Sequence, residues 1–395
     1  MKLPSHGPLN KIVLVVTESC SLKCAYCYAR LATNARATGR MSPGVSAEII
    51  RRTLKDRGEC GLVQFFGGEP TLNLDAIEAT AETILEMVSA GQLAQKPRLS
   101  IVTNGVWGNP EKIMELIKKF GIETTISLDG PPEIHNALRP AANGSATYDR
   151  ARAAIDELLM YGAPVTIESV YTVLHMNKGF TIVDLLDFAQ GLGVNKLVFE
   201  PAYPPAPSEL NPLFDPHLGK LRDYYRAGVD WWFQRLIKGQ NVLDLYFKDV
   251  LLPLLEGFPS AVAQSGCLAG SRDITIGPDG DIFVCHLLYG NPAYRMGNIL
   301  SNEFSERVAQ YPITANDIDS CRACFAHHWC QPCAAINNCW GDAWKVASRE
   351  CLKRQAVLLR IGELAFNYLN VPENDITSGL RAKICETKIQ TSIAL

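Results

Sequence analysis

The chain has 395 residues, is 47% hydrophobic and carries a formal net charge of −3, enough to bury one large core with a smaller module and too balanced in charge to signal a nucleic-acid partner. Lys2 to Asn10 is polar and proline-rich rather than a charged-then-apolar signal, and no apolar run reaches membrane-spanning length, so a soluble cytoplasmic protein with no membrane partner is expected. Its 13 cysteines then read as metal ligands rather than disulfides, because the cytosol keeps thiols reduced.

In chain order, short runs rich in Val, Ile or Phe and bounded by Gly, Pro or Asn predict strands at Ile12–Val16, Leu62–Phe66, Leu99–Thr103, Glu123–Leu128, Val165–Tyr171 and Lys196–Glu200. Helical patterns lie between them. The clearest starts at Asn109 as N-cap, places Pro110 in the first turn and Ile113, Leu116, Ile117 and Phe120 on one face, and closes at Gly121. Lys118 and Lys119 near its end suit the helix dipole. Six strand-helix units over residues 11–200 predict a partial (β/α)6 TIM-like barrel, with the site on loops at the carboxyl ends of the strands.

The loop after the first strand runs Thr17-Glu18-Ser19-Cys20-Ser21-Leu22-Lys23-Cys24-Ala25-Tyr26-Cys27-Tyr28. Three thiolates so spaced can hold three irons of a cubane cluster and leave the fourth iron open. Structural zinc would want a fourth ligand, and no other Cys or His lies nearby. The loop resembles that of the radical S-adenosylmethionine (SAM) enzymes, in which an aromatic residue such as Tyr26 precedes the last cysteine. The resemblance implies a [4Fe-4S] cluster on Cys20, Cys24 and Cys27 whose open iron chelates the methionine part of SAM. One electron then yields a 5'-deoxyadenosyl radical that takes a hydrogen atom from substrate.

Downstream turns carry residue types that fit such a site. After strand two, Gly67-Gly68-Glu69-Pro70 looks like the family's methionine-binding turn, its glycines admitting close backbone approach and Glu69 able to accept from an ammonium group. Thr103-Asn104-Gly105 supplies a polar turn after strand three, and Ser127 and Asp129 after strand four suit ribose hydroxyls. Arg139 in Leu-Arg-Pro is expected to pair with the SAM carboxylate. Glu168 and Ser169 on strand five point to opposite faces, and Ser169 is the expected lumen residue.

Six prolines between 201 and 216 read as a linker. Helices are expected at His217–Lys238 and Asn241–Leu255, the first with Tyr224, Tyr225, Trp231, Trp232 and Phe233 as interface core. Residues 274–284 then read as a β-hairpin turning at Pro278-Asp279-Gly280. Eight cysteines within residues 267–351 point to metal. Their pattern resembles the SPASM extension of radical SAM enzymes, which binds two auxiliary [4Fe-4S] clusters. That resemblance implies Cys267 and Cys285 on the first auxiliary cluster, and Cys321, Cys324, Cys330 and Cys351 on the second. Cys333 is taken as a further ligand of the first, with Cys339 or an open iron as alternatives, because the family's spacing has three residues where only Gln331 and Pro332 stand here. Cys60 and Cys385 match nothing and read as small buried residues.

The expected organisation is a barrel core over 1–200, a linker with bridging helices over 201–260, the SPASM module over 261–355 and a helix with tail over 356–395. Barrel plus extension resembles the maturases of ribosomally made peptides, which form thioether, carbon-carbon or ether crosslinks. It implies a precursor peptide or protein as substrate and an electron donor such as flavodoxin or ferredoxin. Since strand one begins by residue 11, any leader is expected to be held by the enzyme core or by a separate leader-binding protein. Two alternatives stay open, a sulfatase-type formylglycine maturase and a radical dehydrogenase of a small molecule. In the sulfatase-maturing branch an Asp after the extension's second cysteine looks to be the base; here that position is His286, whose imidazole is the candidate catalytic group.

Overall fold

The computed structural model describes residues 8–29, 39–57, 59–240, 242–256, 267–301, 303–304 and 315–369. Cys385 and most of the expected C-terminal tail lie outside them. The chain divides into two compact units, Met1–Glu168 with Cys267–Pro312, and Ser169–Gly266 with Ile313–Leu395.

In the first unit, strands β1 (Leu9–Thr17), β2 (Cys60–Gly67), β3 (Arg98–Thr103), β4 (Ile122–Ser127) and β5 (Val165–Tyr171, continuing into the second unit) form a parallel sheet in chain order. Each falls within two residues of a predicted strand, except that β1 begins three residues early, at Leu9. The sequence carried the signal because the strands are short apolar runs, and Ile12, Leu14, Val63, Phe65, Ile101 and Ile126 are all fully buried. Helices α1 (Pro43–Arg57), α2 (Leu74–Ser89), α3 (Pro110–Phe120), α4 (Pro132–Leu138) and α5 (Tyr148–Tyr161) connect them. Helix α3 is capped as its sequence dictates: Lys112 N donates to the Asn109 side chain at 3.0 Å, and Gly121 takes the left-handed conformation at φ 63°.

The predicted hairpin forms from β7 (Asp273–Ile276) and β8 (Asp281–Phe283), followed by β9 (Arg295–Asn298) and β10 (Glu303–Phe304). Its position was not foreseen. Strand β7 lies parallel to β1, with Lys11 opposite Asp273, so the hairpin extends the barrel sheet past its first edge. An exposed edge is thereby paired.

The second unit takes up the end of β5, β6 (Lys196–Pro201), α6 (Val173–Asn177), α7 (Ile182–Gly191), α8 (Leu218–Ile237) and α9 (Phe247–Glu256). It also holds α10 (Asp319–Arg322), α11 (Ala334–Cys339) and α12 (Ser348–Leu369). Ala202 N donates to Tyr171 O at 2.9 Å, which continues β6 alongside the end of β5. The proline-rich stretch is packed rather than loose: Ala202, Ala206 and Leu213 are all buried. Tyr225, Trp231, Trp232 and Phe233 are buried too, whereas Tyr224 is half-buried. Helix α9 begins at Phe247, later than the expected Asn241, because the backbone before it pairs elsewhere. Asp244 N donates to Asn195 O at 2.7 Å and Leu197 N to Asp244 O at 3.3 Å. Among the described residues no helix is long and apolar enough to cross a membrane.

Candidate active site

The cysteine loop leaves the carboxyl end of β1 and is laced to two other turns by its own backbone. Gly68 N donates to Thr17 O at 2.9 Å and Glu69 N to Ser19 O at 2.8 Å. On its other side Lys23 N donates to Pro140 O, Ala25 N to Leu138 O and Ala142 N to Ser21 O, each at 2.8 Å. The Leu-Arg-Pro segment therefore holds the loop through main-chain atoms that sequence reasoning did not single out. Glu18 anchors the loop's base: its carboxylate accepts from Gly39 N at 2.9 Å and from the Tyr289 hydroxyl at 2.8 Å.

The two glycines after β2 are dictated by how closely the turn meets this loop. A Cβ on Gly67, at φ +141°, would stand 2.0 Å from Thr17 O, and one on Gly68 would stand 2.3 Å from Ser19 O. Glu69 has a different role from the one expected. It is 1% exposed, leaving no surface for an ammonium group. Its Oε1 accepts from Thr103 Oγ1 at 2.6 Å, Thr71 Oγ1 at 2.7 Å and Thr71 N at 3.2 Å, and Oε2 accepts from Asn104 N at 2.8 Å. Burial pushes its carboxyl above the usual range, against the pull of those donors. Glu69 thus ties the turns after β2 and β3 together, with Pro70 buried behind it. Asn104 reaches back from the second turn to Ser21 Oγ at 3.3 Å.

Asp129 and Arg139 also differ from expectation. Asp129 is fully buried, and its Oδ2 accepts from the Tyr26 hydroxyl and from Arg139 Nε at 2.9 Å. Burial alone would raise this carboxyl, but the Arg139 guanidinium beside it holds it below the usual range. With no exposed surface, Asp129 cannot meet a ribose; it fixes Tyr26 and Arg139. Arg139 is 7% exposed and lies over the Tyr26 ring at 5.3 Å. Its charge is already paired, so the expected ion pair with a SAM carboxylate would have to share it. Ser127 ends β4 directly opposite Glu168 on β5. Parallel partners share a face, so Glu168 stands on the Ser127 side of the sheet. Ser169, the expected lumen residue, points the other way, is 1% exposed, and its hydroxyl has no partner.

Three thiols lie close enough on this loop to act on one another. Burial pushes Cys20 up to about 12 although part of it is open to solvent, with Cys24 and Cys27 adding to the rise. Burial likewise pushes Cys24 to about 11, and Cys27 again adds to it. Among the described residues no three His, Cys, Asp or Glu side chains stand in a closed metal-binding arrangement. The donor chemistry nevertheless fits an iron-sulfur cluster, since a bound cation would deprotonate these soft donors and remove their mutual repulsion.

At the hairpin, Gly270 N donates to Val284 O at 3.0 Å, so Cys267 and Cys285 flank the base of the same turn of chain. His286 follows. Its ring meets the Phe66 ring edge-on at 5.1 Å and its Nδ1 lies 3.8 Å from Cys285 Sγ. Burial, helped by the Lys11 charge, lowers the imidazole to about 4, so it is neutral. In the second unit, burial and then the charges of Cys330, Cys321 and Cys324 push Cys351 up to about 11. Cys339 is pushed to about 11 by burial and then by Cys333. Cys60 is 8% exposed and its thiol donates to Leu62 O at 3.2 Å.

Residues 14–190 match the Radical SAM superfamily. Those residues form a radical SAM domain. It is 28% identical over 323 residues to a cysteine-type anaerobic sulfatase-maturating enzyme of Clostridium novyi (strain NT), covering 79% of this chain and 82% of that one. It is 27% identical over 313 residues to the mycofactocin maturase MftC of Mycobacterium ulcerans (strain Agy99), covering 75% and 74%. A solved structure of anSMEcpe with bound AdoMet superposes with a TM-score of 0.75 at 21% identity, covering 95% of this chain and 98% of that chain. Streptococcus suis SuiB bound to S-adenosylmethionine gives 0.60 at 21% identity, covering 87% and 77%. The structural likenesses establish the TIM-like α/β fold, with the cysteine-rich region following it.

Proposed function

We propose that this radical SAM enzyme is a maturase that oxidises a residue of a ribosomally made peptide or protein, forming a crosslink. The reading rests on one observation: the Cys20–Cys27 loop is bound through its backbone to the Gly67-Gly68 turn in a chain that also carries eight cysteines between 267 and 351. When bound on Cys20, Cys24 and Cys27, a [4Fe-4S] cluster supplies the electron that opens SAM to a 5'-deoxyadenosyl radical. The chain's own residues place and shield that chemistry. Gly67 and Gly68 let the turn after β2 close against the backbone of the cysteine loop. Asn104 and the Asp129–Arg139–Tyr26 group hold the loop's two flanks. Phe66 and His286 stand edge to face beside the strand ends.

Two auxiliary clusters would be held, one by Cys321, Cys324, Cys330 and Cys351 and one with Cys267 and Cys285 as ligands, giving three [4Fe-4S] centres in all. Sulfatase maturation is the second reading, favoured by the relative with 28% identity. His286 in place of a carboxylate after Cys285 favours crosslinking. The experiment pairs the anaerobically reconstituted enzyme with short peptides encoded beside its gene and with a sulfatase-motif peptide. A neighbouring peptide that raises 5'-deoxyadenosine production and loses two hydrogens by mass supports crosslinking. An aldehyde on the sulfatase peptide would replace that assignment with formylglycine formation. Turnover of a free sugar or amino acid, with no response to any peptide, would overturn the maturase reading.

A further inference from the structure

The carboxylate absent from the position after Cys285 has a counterpart elsewhere in the same unit. Along β5, Val165 and Ile167 are buried while Thr166 and Glu168 are partly open, the alternation of a strand with one packed and one accessible face. Strand registers carry that face across the sheet. Phe65, Ile101, Thr124 and Val165 align on the packed face, so Phe66, Ser127 and Glu168 share the other. His286 meets this accessible face through its ring contact with Phe66 at 5.1 Å. His286 is committed to Phe66 and to the Cys285 sulfur.

We propose that Glu168 is the proton acceptor for substrate oxidation in this enzyme, reaching the reacting residue from the accessible face at the end of β5. The assignment rests on the maturase reading above. It selects substrates whose reacting carbon bears, or lies beside, a protic heteroatom such as a thiol, hydroxyl or amide. The step balances. A carbon-hydrogen bond breaks, and its hydrogen atom goes to the 5'-deoxyadenosyl radical. A heteroatom-hydrogen bond then breaks, with its proton going to Glu168. The remaining electron goes to an iron-sulfur centre at Cys285, and a new carbon-heteroatom bond forms. The substrate loses two hydrogens, one electron of the pair having reached the radical and the other the auxiliary centre.

The test separates the two hydrogens. The peptide that stimulates turnover, deuterated at the carbon that loses hydrogen, is incubated with wild-type enzyme and with Glu168→Gln. Circular dichroism and iron content establish that the variant is folded and loaded, and Glu168→Asp restores the carboxylate. The expected result is deuterium in 5'-deoxyadenosine from both proteins, with oxidised peptide reduced about 100-fold or more in Glu168→Gln and partly restored in Glu168→Asp. Wild-type product formation by Glu168→Gln would overturn the proposal. So would loss of deuterium transfer together with loss of SAM cleavage, which would assign Glu168 to cofactor binding. Absence of deuterium transfer in the wild type would overturn the maturase reading and this assignment with it.

Discussion

The two cysteine-bearing regions of this enzyme are built in opposite ways. The Cys20–Cys27 loop is held by chain far from it in sequence, through hydrogen bonds from Lys23 to Pro140, Ala25 to Leu138 and Glu69 to Ser19. Around Cys321–Cys330 the bonds are local: Cys321 N to Ile318 O, Cys324 N to Cys321 O and His327 N to Cys324 O, at 2.9 to 3.1 Å. Cys351 arrives from a separate helix, α12. The first loop is shaped by the polypeptide and receives its cluster. A cluster on the second, as proposed, would draw its pieces together.

The largest expected effect follows from that contrast. Removing iron with a chelator should abolish amide protection over residues 318–330 while Lys23 and Ala25 keep theirs, because only the former lack a scaffold of distant partners. Hydrogen exchange before and after chelation measures this. Equal loss in both regions would mean that the first loop, too, is shaped by its metal.

A smaller effect is expected from the buried pair behind that first loop. Asp129 is fully buried and Arg139 nearly so, hence Asp129→Ala leaves a guanidinium without its partner. The cost should be about 3 to 5 kcal/mol, read as loss of protection at Lys23 and Ala25, whose acceptors flank Arg139. An exposed pair offers the contrast: Arg98 and Glu123 are bonded at 2.6 Å but about a third open. Truncating Arg98 should cost under about 1 kcal/mol.

Much of this was legible because it is local. Strand positions follow from apolar runs, helix α3 from Asn109 and Gly121, and the tight turn from Gly67 and Gly68. What failed depends on partners distant in sequence. Nothing in Asp129 reveals that Tyr26 and Arg139 will occupy it, and nothing in Glu69 reveals Thr103 and Asn104. The choice of Ser169 over Glu168 failed for a related reason. Periodicity separates two faces but does not say which one packs against helices, and a carboxylate on the accessible face only makes sense once its neighbours are known.

The smallest effect concerns His135, which supports the same loop indirectly. Its ring is fully buried. Nδ1 accepts from Asp129 N at 3.3 Å, which requires a neutral ring, and Nε2 lies 3.2 Å from Thr147 Oγ1, whose hydroxyl donates to Arg139 O at 2.6 Å. Burial, only partly offset by the Asp129 charge, lowers this imidazole from 6.5 to about 4. A proton therefore binds the unfolded chain more readily than the folded one between those values. The stabilisation is fully present above pH 6.5 and is lost as pH falls through about 4, amounting at most to about 3 kcal/mol. Asp129 acts lower on the scale, because its depressed carboxyl keeps its contribution until pH falls below the ordinary aspartate range of about 4. His286 titrates over the same span as His135, so the readout must be local. Exchange at Lys23 and Ala25 should quicken between pH 6.5 and 4 in the wild type, after correction for the intrinsic pH dependence of exchange. In His135→Gln that slope should flatten while the acid limb below pH 4 remains. An unchanged slope would mean that His135 does not brace the loop through Asp129 and Arg139.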